Sequence, residues 1–146
     1  GDQVEFVDGS VVPADAIVYA TGYKISFPFF DPAFLDVEKD NNINLYRRVV
    51  HPDHEGLFFI GLIQPLGAIM PLAEVQAKWV AALLAGACAL PDVSTMRREI
   101  ERDQRKIAKR YVPSARHTIQ VDFYPYLKQL QAEIEAGRQR NTAVVA

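Results

Sequence analysis

Cysteine is nearly absent from this sequence: of 146 residues only Cys88 carries a thiol. An internal disulfide is therefore excluded, and so are cysteine-rich metal sites. Cys88 sits in Ala-Gly-Ala-Cys-Ala-Leu with no cationic neighbour, which marks a small core residue rather than a reactive thiol. A long hydrophobic run is missing too. The longest, Trp79 to Leu90, falls well short of the roughly 20 residues that span a bilayer. No signal peptide is visible, so the expected location is cytoplasmic. Neither sign of charge dominates, and a net charge of −2 gives no general attraction to nucleic acid or to an anionic membrane. Internal repeats, low-complexity stretches, a Ser/His/Asp arrangement and a pair of facing carboxylates are all lacking. No residue stands out as catalytic.

What is present is an ordinary soluble composition, 49% hydrophobic and 23% charged, in a chain long enough for one modest core. Its most telling stretch is Asp15-Ala-Ile-Val-Tyr-Ala-Thr-Gly-Tyr23. The run from Ala16 to Ala20 does not alternate, which predicts a strand covered on both faces, as in a parallel sheet. Thr21 and Gly22 then turn the backbone tightly, leaving amides at the carboxyl end of a strand, where open α/β sheets bind ligands. Ahead of it, Val4-Glu-Phe-Val7 and Val11-Val12 flank Asp8-Gly-Ser10, a hairpin signal. Asp15 reads as a turn or capping residue at the strand entrance.

Further on, Phe27-Pro-Phe-Phe30 and Phe34 form a cluster that must cover an apolar face. Asp40-Asn41-Asn42 predicts a turn before a short strand from Leu45 to Val50. His51 and His54 are three apart, but Pro52 argues for a loop and no third ligand is in evidence, so no metal site is assigned. Leu57 to Leu62 predicts a second buried strand. Gly61, Gln64-Pro65 and Gly67 then make a compact loop. A helix begins near Pro71, with Leu72, Val75, Trp79 and Leu83 at helical spacing and a Glu74–Lys78 pair on its outer face. Trp79 reads as core. Leu90-Pro-Asp-Val-Ser94 ends that helix and caps the next. From Thr95 to Tyr111 seven basic residues face three acidic ones, but with signs interspersed, as on a solvated helix face. Val112 to His117 is a connector. Asp122 caps a last helix with a Leu127, Leu130 and Ile134 stripe, Gly137 ends it, and Arg138 to Ala146 is a tail.

Three of these segments resemble one family. Asp15-x-Ile-Val-Tyr-Ala-Thr-Gly-Tyr23 is similar to the F-A-T-G-Y motif of flavin-containing monooxygenases, with Tyr19 in place of Phe. Leu57-Phe-Phe-Ile-Gly-Leu-Ile-Gln-Pro-Leu-Gly67 followed by Ala73-Glu-x-Gln-Ala-x-Trp79 resembles the family's G-L-I-Q-P…E-x-Q-A-R-W block, the most specific of the three. Gln120-x-Asp122-Phe-x-x-Tyr126 is similar to a segment near its C-terminus. The family's two Gly-x-Gly-x-x-Gly loops, for FAD and NADPH, have no counterpart in this sequence.

The resemblance implies an α/β fragment of a two-dinucleotide-binding-domain (Rossmann-like) flavoprotein, with short strands followed by C-terminal helices. In that frame residues 1–146 form a single C-terminal region. Residues 1–24 hold the hairpin and A-T-G strand from the NADPH-domain side, residues 45–137 belong to the FAD domain, and 138–146 are the tail. The implied activity is an FAD- and NADPH-dependent monooxygenase that oxygenates small nucleophilic nitrogen or sulfur compounds, or ketones, via a C4a-hydroperoxyflavin. The residues expected beside the cofactors are Thr21, Gly22 and Tyr23 on the NADPH side. On the flavin side they are Gly61, Gln64 and the amides around Leu66 to Leu72. The Phe27–Phe34 cluster either borders the nicotinamide or substrate pocket or simply packs. The implied partners are a small-molecule substrate and the upstream half of the same enzyme, with no nucleic acid and no membrane; a homo-oligomer is compatible. Two other readings stay open: a truncated, non-catalytic structural or interaction module, and part of a flavin disulfide or ferredoxin reductase.

Overall fold

The computed structural model describes residues 2–21, 24–31, 34–35, 43–110 and 118–145. Gly22, Tyr23, the Asp40–Asn42 turn, Tyr111 and the Val112–His117 connector lie outside the described residues. The order of elements is β1 (Gln3–Glu5), β2 (Val11–Pro13), β3 (Gln64–Pro65), α1 (Met70–Leu84), α2 (Val93–Arg110), β4 (Gln120–Val121) and α3 (Phe123–Val145). This is a mixed α/β chain of short strands followed by helices.

β1 and β2 pair antiparallel with Val4 opposite Val12, as the Asp-Gly signal predicts. The turn is pinned by Asp8, whose Oδ1 accepts from the Ser10 N–H at 2.9 Å and from the Ser10 hydroxyl at 2.7 Å. The buried strand expected over Ala16–Ala20 is not there. That segment has no strand pairing among the described residues, and Ile17, Val18 and Tyr19 are 57%, 87% and 84% exposed. A strand buried on both faces needs flanking strands and covering helices, and no described residue supplies them.

Leu57–Leu62 makes a single bridge, Val50 to Phe58, rather than a regular strand. Leu45–Val50 is likewise no strand but a tight turn closed by the Tyr46–Val50 bridge. In it Arg47 and Arg48 both have positive φ, 51° and 60°. Left-handed backbone at a non-glycine residue costs roughly 1–2 kcal/mol, and nothing in the residue types announces it. The turn persists because its side chains are held from outside. The Arg47 guanidinium pairs with the Glu99 carboxylate, and Arg48 Nη1 donates to the Thr118 carbonyl at 2.7 Å.

α1 starts where Pro71 predicts, with Pro at its first positions, and it buries Leu72, Gln76, Trp79 and Val80. Glu74 and Lys78 form their i,i+4 pair at 2.6 Å on the solvent side. α2 is capped by Asp92, which accepts from the Thr95 N–H at 2.9 Å and from the Ser94 and Thr95 hydroxyls. Those bonds hold its carboxyl well below the usual range. The exposed basic residues of α2 are interleaved with acids, as in the Arg105–Glu101 pair at 2.9 Å.

The main core joins Tyr46, Val49, Val50, Ile63, Leu72, Trp79, Val80, Cys88, Met96, Tyr126 and Leu130. Burial of each fully enclosed Leu, 72 and 130, contributes roughly 1.5–3 kcal/mol. A second cluster of Leu35, Ile43, Leu45 and Phe59 takes in Phe27 and Phe30, so much of the aromatic run does pack. Phe29 stays 75% exposed.

α3 corrects one expectation. Gly137 does not end the helix, which runs on to Val145. The inward row is Tyr126, Leu130, Glu133 and Gly137, with Leu127 and Ile134 half-buried beside it. Gly137 is needed for close approach: a Cβ there would stand 2.1 Å from Cys88 Sγ and 3.0 Å from the Ala89 carbonyl. The Ala89 N–H donates to the Gly137 carbonyl at 2.9 Å across the same contact.

Candidate functional site

Gln76 occupies a core position of α1 and is fully buried, yet it is polar. A buried amide is tolerable only when its groups are bonded, and here both ends are used. Its Oε1 accepts from the Gly61 N–H at 2.7 Å, and its Nε2 donates to the Tyr126 hydroxyl at 2.7 Å. Tyr126 in turn donates to the Arg47 carbonyl at 2.7 Å. Burial pushes the Tyr126 hydroxyl above its ordinary pKa, so it remains a donor. One relay therefore ties the Gly61 loop, α1, α3 and the left-handed turn.

The loop that follows Gly61 is the most open part of this region. Gly61 has φ of +81°, a conformation open to glycine. Three residues on, the Gln64 N–H donates to the Ile119 carbonyl at 2.8 Å, and β3 pairs parallel with β4. The Gln64 side chain is exposed, as are Leu66 at 78% and Met70 at 74%. They lead along the chain into α1, whose first residue is Met70, whose cap residue Ile69 offers no side-chain hydrogen bond and whose first turn holds no acid. An uncapped helix start without acids carries partial positive charge and suits an electron-rich, partly apolar group.

Of the residues singled out from sequence, Gly61 and Gln64 come together in this loop. Leu72 lies behind it, with its side chain fully buried and its N–H donating to the Ile69 carbonyl at 3.1 Å. Thr21 is exposed on the segment after β2. Gln76 and Tyr126 stood inside the matched motifs without a role. The available signal was a Gln one turn after Leu72 in an otherwise apolar stripe.

Beneath the relay, α2, α3 and the Arg47 turn enclose a cleft of about 730 Å³. Glu133, 5% exposed, is among the residues that line it. It accepts from the Tyr46 hydroxyl at 2.5 Å, pairs with Arg140, and lies 3.6 Å from Arg47. Burial first, then the bond to Glu133, raises the Tyr46 hydroxyl above its ordinary range, so it too stays protonated. Sequence reasoning missed this cluster because its members are far apart in the chain.

His51 and His54 lie with ring centroids 4.4 Å apart, and His54 stacks on Phe34 at 4.3 Å. Among the described residues no group of three or more His, Cys, Asp or Glu is placed to hold a metal ion. His51 Nδ1 accepts from the Asp53 N–H at 3.2 Å. Burial, and then the His54 ring, holds the His51 pKa below 6.5. The unfolded chain therefore takes up a proton at a higher pH than the folded one does. Stability is full above about 6.5 and declines as pH falls below it. Urea titrations at pH 7.5 and 5.5 are expected to show this loss in the native sequence and a smaller one in His51→Gln.

The fold and this loop define a piece of a flavoprotein monooxygenase architecture. The structure of S-allyl-L-cysteine S-oxygenase from Allium sativum superposes with a TM-score of 0.75 at 31% identity, over 92% of this chain and 31% of that one. The chain belongs to the flavin-binding monooxygenase-like family, whose sequence pattern matches residues 2–143. Flavin-containing monooxygenase 5 of Oryctolagus cuniculus is 46% identical over 128 residues, which is 86% of this chain and 24% of that protein. Flavin-containing monooxygenase 2 of Homo sapiens is 41% identical over 134 residues, or 90% of this chain and 25% of that protein. The chain thus spans about a quarter of the length of the curated relatives it matches. No described helix is long and apolar enough to cross a membrane.

Proposed function

We propose that this region forms the flavin-facing C-terminal part of an FAD- and NADPH-dependent monooxygenase that oxygenates small molecules at nucleophilic nitrogen or sulfur. The observation that carries the reading is the uncapped, acid-free start of α1, exposed beside Gln64, Leu66 and Met70 in a chain of this family. These residues fit a flavin: an apolar surface for the ring, amides and a Gln side chain for its polar edge. The S-oxygenase from Allium sativum and an N-oxide-forming dimethylaniline monooxygenase 2 of Pan troglodytes, 41% identical over 90% of this chain and 25% of that protein, support the choice of atoms.

The flavin, when bound, supplies the redox and oxygen chemistry. The protein's own share is narrower. Gln64 and the amides around Leu66 to Met70 would hold and orient the ring edge, and Leu66 and Met70 would keep water from it. The positive end of α1 would favour a ring that carries negative charge. Thr21, with Gly22 and Tyr23, would serve the NADPH side. The exposed Ile17–Tyr19 segment would be covered by the upstream half of the same enzyme, which would also bring the glycine-rich phosphate loops.

The test has two arms. The isolated 146-residue chain, mixed with FAD and gel-filtered, is expected to leave the column without flavin. The full-length protein that carries this region is expected to retain flavin stoichiometrically and to consume NADPH with a tertiary amine or sulfide as substrate. A full-length protein that retains no flavin overturns the reading.

A further inference from the structure

We propose that Gln76 is a positioning residue: it sets the Gly61–Gln64 segment in the place from which Gln64 and the loop amides meet the flavin. This rests on the flavin reading above and assigns the site a support whose side chain is fully buried.

The segment is clamped at both ends by single bonds. Gln76 Oε1 holds the Gly61 N–H at 2.7 Å, and the Ile119 carbonyl holds the Gln64 N–H at 2.8 Å. Between them the chain passes through φ of +81° at Gly61 and buries Ile63 to 4% exposure. Two fixed amides and one buried anchor set the path of the backbone through Gln64, and with it the direction in which its Cα–Cβ bond leaves the chain. Gln76 is itself fixed, because its Nε2 donates to Tyr126, which is anchored on the Arg47 carbonyl. If the position only filled space, an apolar side chain of the same volume would serve without the cost of burying an amide. Gln is explained by what it holds.

The experiment uses the full-length, FAD-loaded protein. Gln76→Met keeps the volume and removes both bonds. Amide hydrogen exchange at Gly61 is expected to rise on the order of tenfold or more, while exchange within α1 changes little. FAD is expected to dissociate about tenfold faster, the scale of one net hydrogen bond, with a shift of the flavin visible band. Tyr126→Phe keeps the Gln76–Gly61 bond but frees its far anchor, and is expected to fall between the two. Leu130→Ala weakens the α1–α3 core without touching the relay, and is expected to lower stability while leaving Gly61 exchange and the flavin band unchanged.

Unchanged Gly61 exchange in flavin-loaded Gln76→Met protein overturns the positioning role alone. Equal loosening of FAD by Gln76→Met and Leu130→Ala overturns it as well, since the effect would then be one of general stability. A native protein that binds no flavin overturns the flavin reading, and this inference with it.

Discussion

Glu133→Ala is expected to cost about 3–5 kcal/mol of stability, measured by urea unfolding, the loss typical of one partner removed from a buried ion pair. Its carboxylate accepts from the Tyr46 hydroxyl, pairs with Arg140 and faces Arg47, whose side chain is only 10% exposed. Truncation leaves a buried hydroxyl and a largely buried guanidinium with fewer acceptors. Glu99 and Asp103 remain near Arg47, so the charge is not abandoned outright. Arg47 Nε and Nη1 already lack hydrogen-bond partners among the described residues, which leaves little slack in the cluster. Glu133→Gln keeps an acceptor for Tyr46 and is expected to lose less. A loss below about 1 kcal/mol for Glu133→Ala, the range of a surface ion pair, would mean that the cluster is effectively solvated.

Gly137→Ala is the second large effect, expected at about 2–3 kcal/mol and opposite in sign to what helix propensity gives. Ala in place of an interior helical Gly normally stabilises by roughly 1 kcal/mol. Here the new methyl would sit 2.1 Å from Cys88 Sγ, so α3 must move away or the α1–α2 connection must shift. The sulfur is the principal obstacle, and a double-mutant cycle isolates it. With Cys88→Ala in the background, Gly137→Ala is expected to cost markedly less, since the remaining close neighbour is the Ala89 carbonyl at 3.0 Å. Additive losses would show that Cys88 Sγ is not what opposes the new methyl.

The sequence carried the local features well, and the reasons are physical. Pro71, Asp92 and Asp8-Gly9 act on their own neighbours, so their helix start, cap and hairpin appear where the residue types put them. The three expected strands failed because a strand is a pairing, and the apolar runs at Ala16–Ala20, Leu45–Val50 and Leu57–Leu62 cannot announce whether a partner lies alongside. Gly137 misled because glycine serves two ends, release of φ at a cap and close approach in a crossing. Only the position of Cys88 in space decides between them. Gly61 and Gln64 were legible as candidate site residues through the family motifs, and the structure places both in one loop. The relay that connects them to Arg47 was not, since its bonds span 15, 50 and 79 positions along the chain.

That last spacing bears on how such proteins can be recombined. The Tyr126 hydroxyl on α3 joins two other segments: it receives from α1 and gives to the turn at Arg47. A chimera joined between residues 80 and 118 would draw Gln76 and Tyr126 from different parents, and each parent's helix offset would have to agree to within a hydrogen bond. A junction placed before residue 43 leaves the relay within one parent. The stretch from 47 to 126 is thus the smallest block that carries the whole relay.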